Sequence, residues 1–148
     1  MTLDDLIKKI IDNGFINCKK YLQEYDQNKN DYDDYKKYIF QDKLKYHRER
    51  IYIDDNIEIF VITWLKNQYA KIHNHSKNGC FLKILEGNLE EIIYSNDLKI
   101  IKENKLKPGD ISYMNDTMGL HSVTNTNDEI CVSIHVYSPP NHKTHFFF

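Results

Sequence analysis

From about residue 44 onward the chain is written in short bursts of β-branched and aromatic residues, and that rhythm limits its fold more than any other feature. IEIFVITWL, CFLKILEG, NLEEIIYS, LKIIKEN, ISYMN and EICVSIHVY are each the length of a single strand. Glu86-Gly87-Asn88, Ser95-Asn96-Asp97 and Pro108-Gly109-Asp110 separate them with turn-forming residues. With five glycines and three prolines in the whole chain, each is expected to mark a turn. Strands this short and this regularly spaced predict a mainly β fold, a small antiparallel barrel or double-sheet jelly roll.

Residues 1 to about 40 have a different texture. Thr2 is placed to cap TLDDLIKKII, with Asp5 as the reciprocal partner, and Leu3, Leu6, Ile7, Ile10 and Ile11 recur at helical spacing. Asn13-Gly14 stops that helix. A second pattern runs through Phe15, Ile16, Cys18, Tyr21 and Leu22, and a third, YDDYKKYIF, follows the polar break DQNKND. Helices this short need a surface to lie on. Residues 1–43 are therefore predicted to form a helical cover packed on a barrel of residues 44–148. At 148 residues the chain can fill one core but not two comfortable ones, so one domain is expected.

Charge and composition exclude several classes. Twenty basic residues stand against 22 acidic ones, with no run of Lys or Arg, which argues against nucleic acid or an anionic membrane as the main partner. No apolar stretch is long enough to span a bilayer. MTLDDLIKKIIDNG carries acids early and no small-residue cleavage site, so it does not read as a secretory signal. Cys18, Cys80 and Cys131 are odd in number and in no framework spacing, which fits a reducing, cytoplasmic setting. The balanced surface gives no reason to expect more than a monomer.

Chemistry is first suggested by HNHSKNGC. On a strand, His73 and His75 would share a face, and two neutral imidazoles so placed make a metal half-site. The same spacing also occurs on solvent-facing strands, so a third ligand is required. His121, in GLHSVTN, follows a turn glycine and begins another alternation that a barrel could bring back beside them. In VSIHVY the period of two puts Ser133, His135 and Tyr137 on one face and Val132, Ile134 and Val136 on the other. The apolar face needs cover from the helices or a neighbouring sheet. The polar face looks either to solvent or into the barrel, where its groups must find partners. Cys80 reads as a small buried hydrophobe or as a thiolate ligand. KYHRERIYI supplies Arg48 and Arg50, which are surface residues unless an anionic ligand draws one inward.

These residues resemble the cupins. His73, His75 and Gly87 fall at positions of the first cupin motif, and His121 and Asn125 fit the end of the second, while Cys80 stands where the motif has glutamate. That substitution, with the blocks IHNHSKNGCFLKILEGNLEE, YMNDTMGLHSVTN and VSIHVYSPP, is similar to the animal-type cysteine dioxygenases over roughly residues 44–140. The resemblance implies a cupin barrel and an Fe2+ ion held by His73, His75 and His121. It implies oxidation of L-cysteine by O2 to cysteine sulfinic acid, the ion holding the substrate as thiolate. A serine-histidine-tyrosine relay is carried onto Ser133, His135 and Tyr137, and a thioether partner of Tyr137 onto Cys80. A Y-x-R element that holds the substrate carboxylate maps onto Tyr46 and Arg48 if one residue is deleted before Trp64; without that deletion His47 takes the place. The relatives continue for several dozen residues past the position of Phe148, and the NHKTHFFF tail, with His142 and His145, is expected to meet solvent. Two other readings stay open: a dioxygenase for another small thiol such as 3-mercaptopropionate, and a metal-binding cupin without turnover.

Overall fold

The computed structural model describes residues 1–36 and 46–147. Helix α1 (Leu3–Asn13) starts as its sequence demands: Thr2 Oγ1 accepts from Asp5 N, and an Asp5 carboxylate oxygen accepts from Thr2 N. Gly14, at φ 84°, ends it in a conformation that suits glycine. A single 3-10 turn (Phe15–Asn17) leads into α2 (Cys18–Glu24). The third helix expected over YDDYKKYIF is not seen among the described residues; Asp33–Tyr35 make a 3-10 turn instead, and Lys37–Phe40 lie outside the description. Tertiary contacts explain the difference. Tyr32 is buried with its hydroxyl toward Glu86, and Lys36, already extended, pairs with Glu86 and Asp33. The expected start of the barrel at residue 44 also lies outside the described residues.

Nine strands follow: β1 (His47–Ile53), β2 (Glu58–Trp64), β3 (Tyr69–His73), β4 (Gly79–Glu86), β5 (Leu89–Tyr94), β6 (Ile100–Leu106), β7 (Ile111–Met114), β8 (Leu120–Thr124) and β9 (Cys131–Ser138). Each of the six segments read as strands forms one. The three histidine- and arginine-bearing segments supply β1, β3 and β8. Pairing is antiparallel throughout, in a five-stranded sheet ordered β1-β2-β9-β4-β7 and a four-stranded sheet ordered β3-β8-β5-β6.

Two apolar layers result. Between the sheets, Phe60, Ile62, Trp64, Leu82 and Ile84 face Ala70, Leu89 and Val123. On the other side of the five-stranded sheet, Ile59, Val61, Val132, Ile134 and Val136 are covered by Leu6, Ile10, Cys18 and Leu22 of the helices. The apolar face of β9 is thus roofed by the N-terminal helices, leaving Ser133, His135 and Tyr137 to face the barrel interior. Cys18 and Cys131 are fully buried packing residues.

One charge sits inside the helix–sheet layer. Lys83 lies on the helix-facing side of β4 between Phe81 and Leu85, and its Nζ donates to Leu22 O and Tyr25 O at 2.6 Å each. Those are carbonyls at the C-terminal end of α2, where a helix leaves acceptors unfilled and favours a cation. Burial holds the ammonium below its ordinary pKa, opposed by the charge of Asp26.

Past β9 the chain folds back along β3. Asn74 N donates to His145 O at 3.2 Å, Phe147 N donates to Ile72 O at 2.7 Å, and Phe146 bridges to His73. Asn74 Oδ1 also contacts His142 Nε2 at 3.0 Å. The tail is therefore an added edge piece. His145 is exposed as expected, but His142 is half-buried because Asn74 holds it in.

Replacing Lys83 by methionine keeps the side chain's reach but leaves two buried carbonyls without a donor. Urea unfolding should show a loss of about 2–3 kcal/mol. A loss below about 1 kcal/mol would mean that the cost of burying the ammonium offsets its bonds.

Candidate metal centre

Three imidazoles converge at the open end of the four-stranded sheet. His73 closes β3 and is the register partner of His121 on β8, so strand pairing alone puts these two side by side. His75 is not on the strand. The β3–β8 register shifts between Ala70 and His73, β3 ends there, and His75 is brought inward because its backbone N donates to Asp116 Oδ1 at 2.8 Å. The ligand atoms of all three lie within 4.8 Å of one another.

Hydrogen bonds fix which nitrogen each ring offers. His73 Nδ1 lies 2.6 Å from Lys71 O, His121 Nδ1 lies 2.8 Å from Glu91 Oε2, and His75 Nδ1 lies 3.3 Å from Asp116 Oδ1. Each partner accepts only, so each Nδ1 carries the proton and each Nε2 presents a lone pair. His121 Nε2 stands 3.0 Å from His73 Nε2, and His75 Nε2 is buried with no hydrogen-bond partner among the described residues. Lone pairs so close repel one another unless a positive centre lies among them. A metal ion that accepts neutral imidazole, such as iron, zinc, copper or nickel, fits this donor set.

Electrostatics agree. Burial, then the neighbouring His121, holds His73 well below the ordinary imidazole pKa, and the same two causes bring His75 down to about 4. Burial alone would push the carboxyl of Glu91 up; hydrogen bonding and charge from His121, with bonds from Asn104 and Ser112, hold it below its ordinary value. Glu91 is thus an ionised anchor for His121. Asp116 contacts His75 in a similar way, through the His75 backbone N and Nδ1.

The relay face of β9 stands beside this cluster. Trp64 Nε1 donates to Ser133 Oγ at 2.9 Å, and Ser133 Oγ meets His135 Nε2 at 2.8 Å. His135 Nδ1 is 3.2 Å from the Tyr137 hydroxyl. Cys80 is the register partner of Tyr137, with its Sγ 3.9 Å from His135 Nδ1. Burial, then the charge of Arg48, holds His135 well below its ordinary pKa; burial, then Cys80, holds Tyr137 well above its own. A cavity of about 30 Å³ joins His73, His75, His121, Cys80, His135, Tyr137 and Tyr46.

Above it opens a mouth of about 50 Å³, lined by Arg48, Glu58, Ser76 and Tyr137, with His142, Thr144 and Phe146 from the tail. The alternation of β1 separates Arg48 from His47. The Arg48 guanidinium lies 4.1 Å from the Phe60 ring centroid and 5.6 Å from that of Tyr137, while His47 pairs with Glu49 at 2.9 Å. Tyr46 stacks on Trp64 with centroids 4.4 Å apart. Glu91, Asp116, Trp64 and Glu58 were not among the residues singled out from sequence. Glu91 had left a signal, since an acid at the parity of buried Leu89 must find partners inside; Asp116, in a turn, left none.

Comparisons with known proteins agree with this geometry. The family described as cysteine dioxygenase type I matches residues 2–148. Cysteine dioxygenase type 1 of Rattus norvegicus is 32% identical over 134 residues, which are 85% of this chain and 66% of that protein, just under two thirds of its length. The Homo sapiens protein of the same name is 29% identical over 157 residues, covering 99% of this chain and 78% of its own. Among solved structures, a Klebsiella pneumoniae protein with a double-stranded β-helix domain superposes with TM-score 0.65 at 18% identity, over 77% of this chain and 86% of that one. A cupin superfamily protein from Desulfitobacterium hafniense gives TM-score 0.53 at 10% identity, over 64% and 77%. These two structures establish the fold.

Two outcomes follow for the metal centre. Glu91→Gln should weaken metal binding by about 10- to 100-fold in competition with a chelator, because His121 loses its anionic anchor. In the metal-free protein, His75 and His135 bind protons more readily unfolded than folded. Stability is then fully present above about pH 6.5 and falls as pH drops toward 4, by roughly 1.4 kcal/mol per pH unit for each such proton. Urea midpoints that stay flat from pH 6.5 to 4.5 would contradict this.

Proposed function

This chain belongs to the cysteine dioxygenase type I family, and we propose that it is a thiol dioxygenase converting L-cysteine and O2 to cysteine sulfinic acid at an Fe2+ ion held by His73, His75 and His121. The observation that carries this reading is the set of Nε2 lone pairs meeting beside a tyrosine hydroxyl. Both oxygen atoms join the sulfur, so the reaction needs no further reductant. The ion would supply Lewis acidity to hold the thiol as thiolate and a redox partner for O2.

The chain's own groups supply direction. Ser133 Oγ accepts from Trp64 and can turn its own proton to His135 Nε2, in which case His135 carries its proton on Nδ1. In that tautomer the N–H donates to the Tyr137 oxygen, which leaves the Tyr137 proton to point toward Cys80 or into the cavity. Tyr137 is then a donor of fixed orientation, kept protonated by its high pKa, to charge developing on the substrate. Arg48, facing the mouth over Phe60, would take the substrate carboxylate, with Tyr46 beside it.

The proposal includes a thioether between Cys80 and Tyr137, supported by their register pairing. Forming it removes two electrons and two protons, for which O2 is the oxidant. It would fix the phenol without being required for turnover. Three free, buried cysteines support a reducing compartment such as the cytosol, and we take residues 1–148 to act as one domain and as a monomer.

Oxygen uptake by the Fe2+-loaded protein, with products weighed by mass spectrometry, tests the reading. L-cysteine should gain two oxygen atoms. Arg48→Gln should lower kcat/KM for L-cysteine by about 30- to 100-fold, the worth of a charged hydrogen bond. No uptake with any small thiol despite bound iron would overturn the assignment.

A further inference from the structure

Strands β4 and β7 set Phe81 opposite Tyr113, and the 3-10 turn after α1 lays Phe15 on Phe81. Ring centroids are 4.6 Å apart for Phe81 and Tyr113 and 5.1 Å for Phe15 and Phe81, so three rings form one row. Beside the row opens a cavity of about 710 Å³, far larger than the cavity of about 30 Å³ at the histidines. Ile16 stands at its rim 87% exposed, although Phe15 and Cys18 on either side of it pack inward. A concave, aromatic surface of this size is the form that small-molecule sites take.

The polar groups that line it are unequal. The Tyr113 hydroxyl donates to Asn78 O at 2.6 Å and accepts from Asn115 Nδ2 at 3.1 Å. Asn78 Nδ2 donates to Ser138 Oγ at 3.1 Å, and Asn115 Oδ1 accepts from Thr117 N at 2.9 Å. Lys77, also on the rim, has neither a hydrogen bond nor an ion pair among the described residues. The cavity therefore offers an aromatic wall, amides already in use, and one cation with nothing opposed to it.

We propose that this cavity is a second ligand site, taking a small flat aromatic carboxylate, and that its occupant acts on the metal centre through the turn at residues 76–79. The three rings give such a ligand stacking partners, and Lys77 gives it a counter-charge. The turn is the link. Gly79 N donates to Ser76 O at 2.8 Å to close it, and Asn78 N donates to Ser138 O at 2.8 Å. On one side His75 and Ser76 line the mouth; on the other Lys77 and Asn78 line the cavity. Tyr113 packs so closely that a Cβ added to Gly79 would lie 2.7 Å from its hydroxyl. A ligand stacked on Tyr113 therefore bears on the segment that joins His75 to Cys80, and such coupling between two sites is reciprocal. Binding at the cavity stands apart from the thiol-dioxygenase reading; the coupling rests on His73, His75 and His121 holding a metal.

Equilibrium dialysis of the full chain against 1-naphthoate and its neutral counterpart, 1-naphthalenemethanol, tests the site. The wild type should bind the acid about tenfold more tightly than the alcohol. Lys77→Glu should erase that preference while leaving the alcohol nearly unchanged, because charge alone is altered. Ile16→Glu sets a carboxylate beside the ligand and should weaken the acid by a similar factor. Both side chains are exposed, so both variants keep the fold. In the Co2+-loaded protein, saturating naphthoate should shift the visible absorption of the ion, and Lys77→Glu should need roughly tenfold more naphthoate for the same shift. No binding by the wild type, equal binding of acid and alcohol, or binding that neither variant weakens overturns the site. Naphthoate bound with the cobalt spectrum unmoved overturns the coupling. If cobalt itself does not bind, the metal centre fails and the coupling with it, while the dialysis still decides the cavity.

Discussion

Strand β9 must bury both of its faces, and the rest of the structure answers that demand. Its valine–isoleucine–valine side requires a roof, which α1 and α2 provide with Leu6, Ile10 and Leu22. Its serine–histidine–tyrosine side requires hydrogen-bond partners in a space otherwise filled by Phe60, Ile62 and Leu82. Because β2 and β4 flank it, each residue of β9 from Val132 to Tyr137 is tied in register to two neighbours, and a slip of one position would turn the polar side into the helices. Fold and site are specified by the same alternation.

Burying polar groups there creates an obligation that the chain meets almost completely. Trp64 closes one end of the relay, and Glu91 and Asp116 orient two of the three imidazoles. Among the described residues, the buried side-chain atoms left without hydrogen-bond partners are His75 Nε2 and Ser76 Oγ, and both residues line the mouth above the histidine cluster. Where the described interior is otherwise satisfied, such gaps mark a candidate site more sharply than cavity size does.

Much of this was legible in the sequence, and for identifiable reasons. β2, β4 and β9 are covered on both sides, so they read as continuous apolar runs between turns, and their limits fall within a residue or two of expectation. His73 and His121 were visible as candidate ligands because their motifs are local, and the fold brings them together. His75 was found for a partly wrong reason, since Asp116 rather than strand periodicity turns it inward. The third helix failed because Tyr32 and Lys36 are claimed by Glu86, a contact across the fold that local propensity does not register. Glu58 and Asp116 escaped for the same reason: their importance lies in what distant segments place opposite them. From sequence, the choice between Arg48 and His47 turned on a one-residue deletion before Trp64; which of the two lines the mouth is set by strand parity at β1, and it is Arg48.

The tail along β3 has a consequence beyond the mouth that it helps to line. β3 is an outer strand of its sheet, and by bonding to Ile72 and Asn74 the tail uses backbone groups that would otherwise be open to another chain. The opposite outer strand, β6, has no such cover among the described residues and is instead studded with Lys102 and Lys105, with Lys99 and Lys107 just beyond its ends. One edge is protected by occupancy and the other by charge. Lifting the tail would therefore widen access to the three histidines and expose a strand edge in one motion, coupling the openness of the site to the tendency of the molecules to stick together.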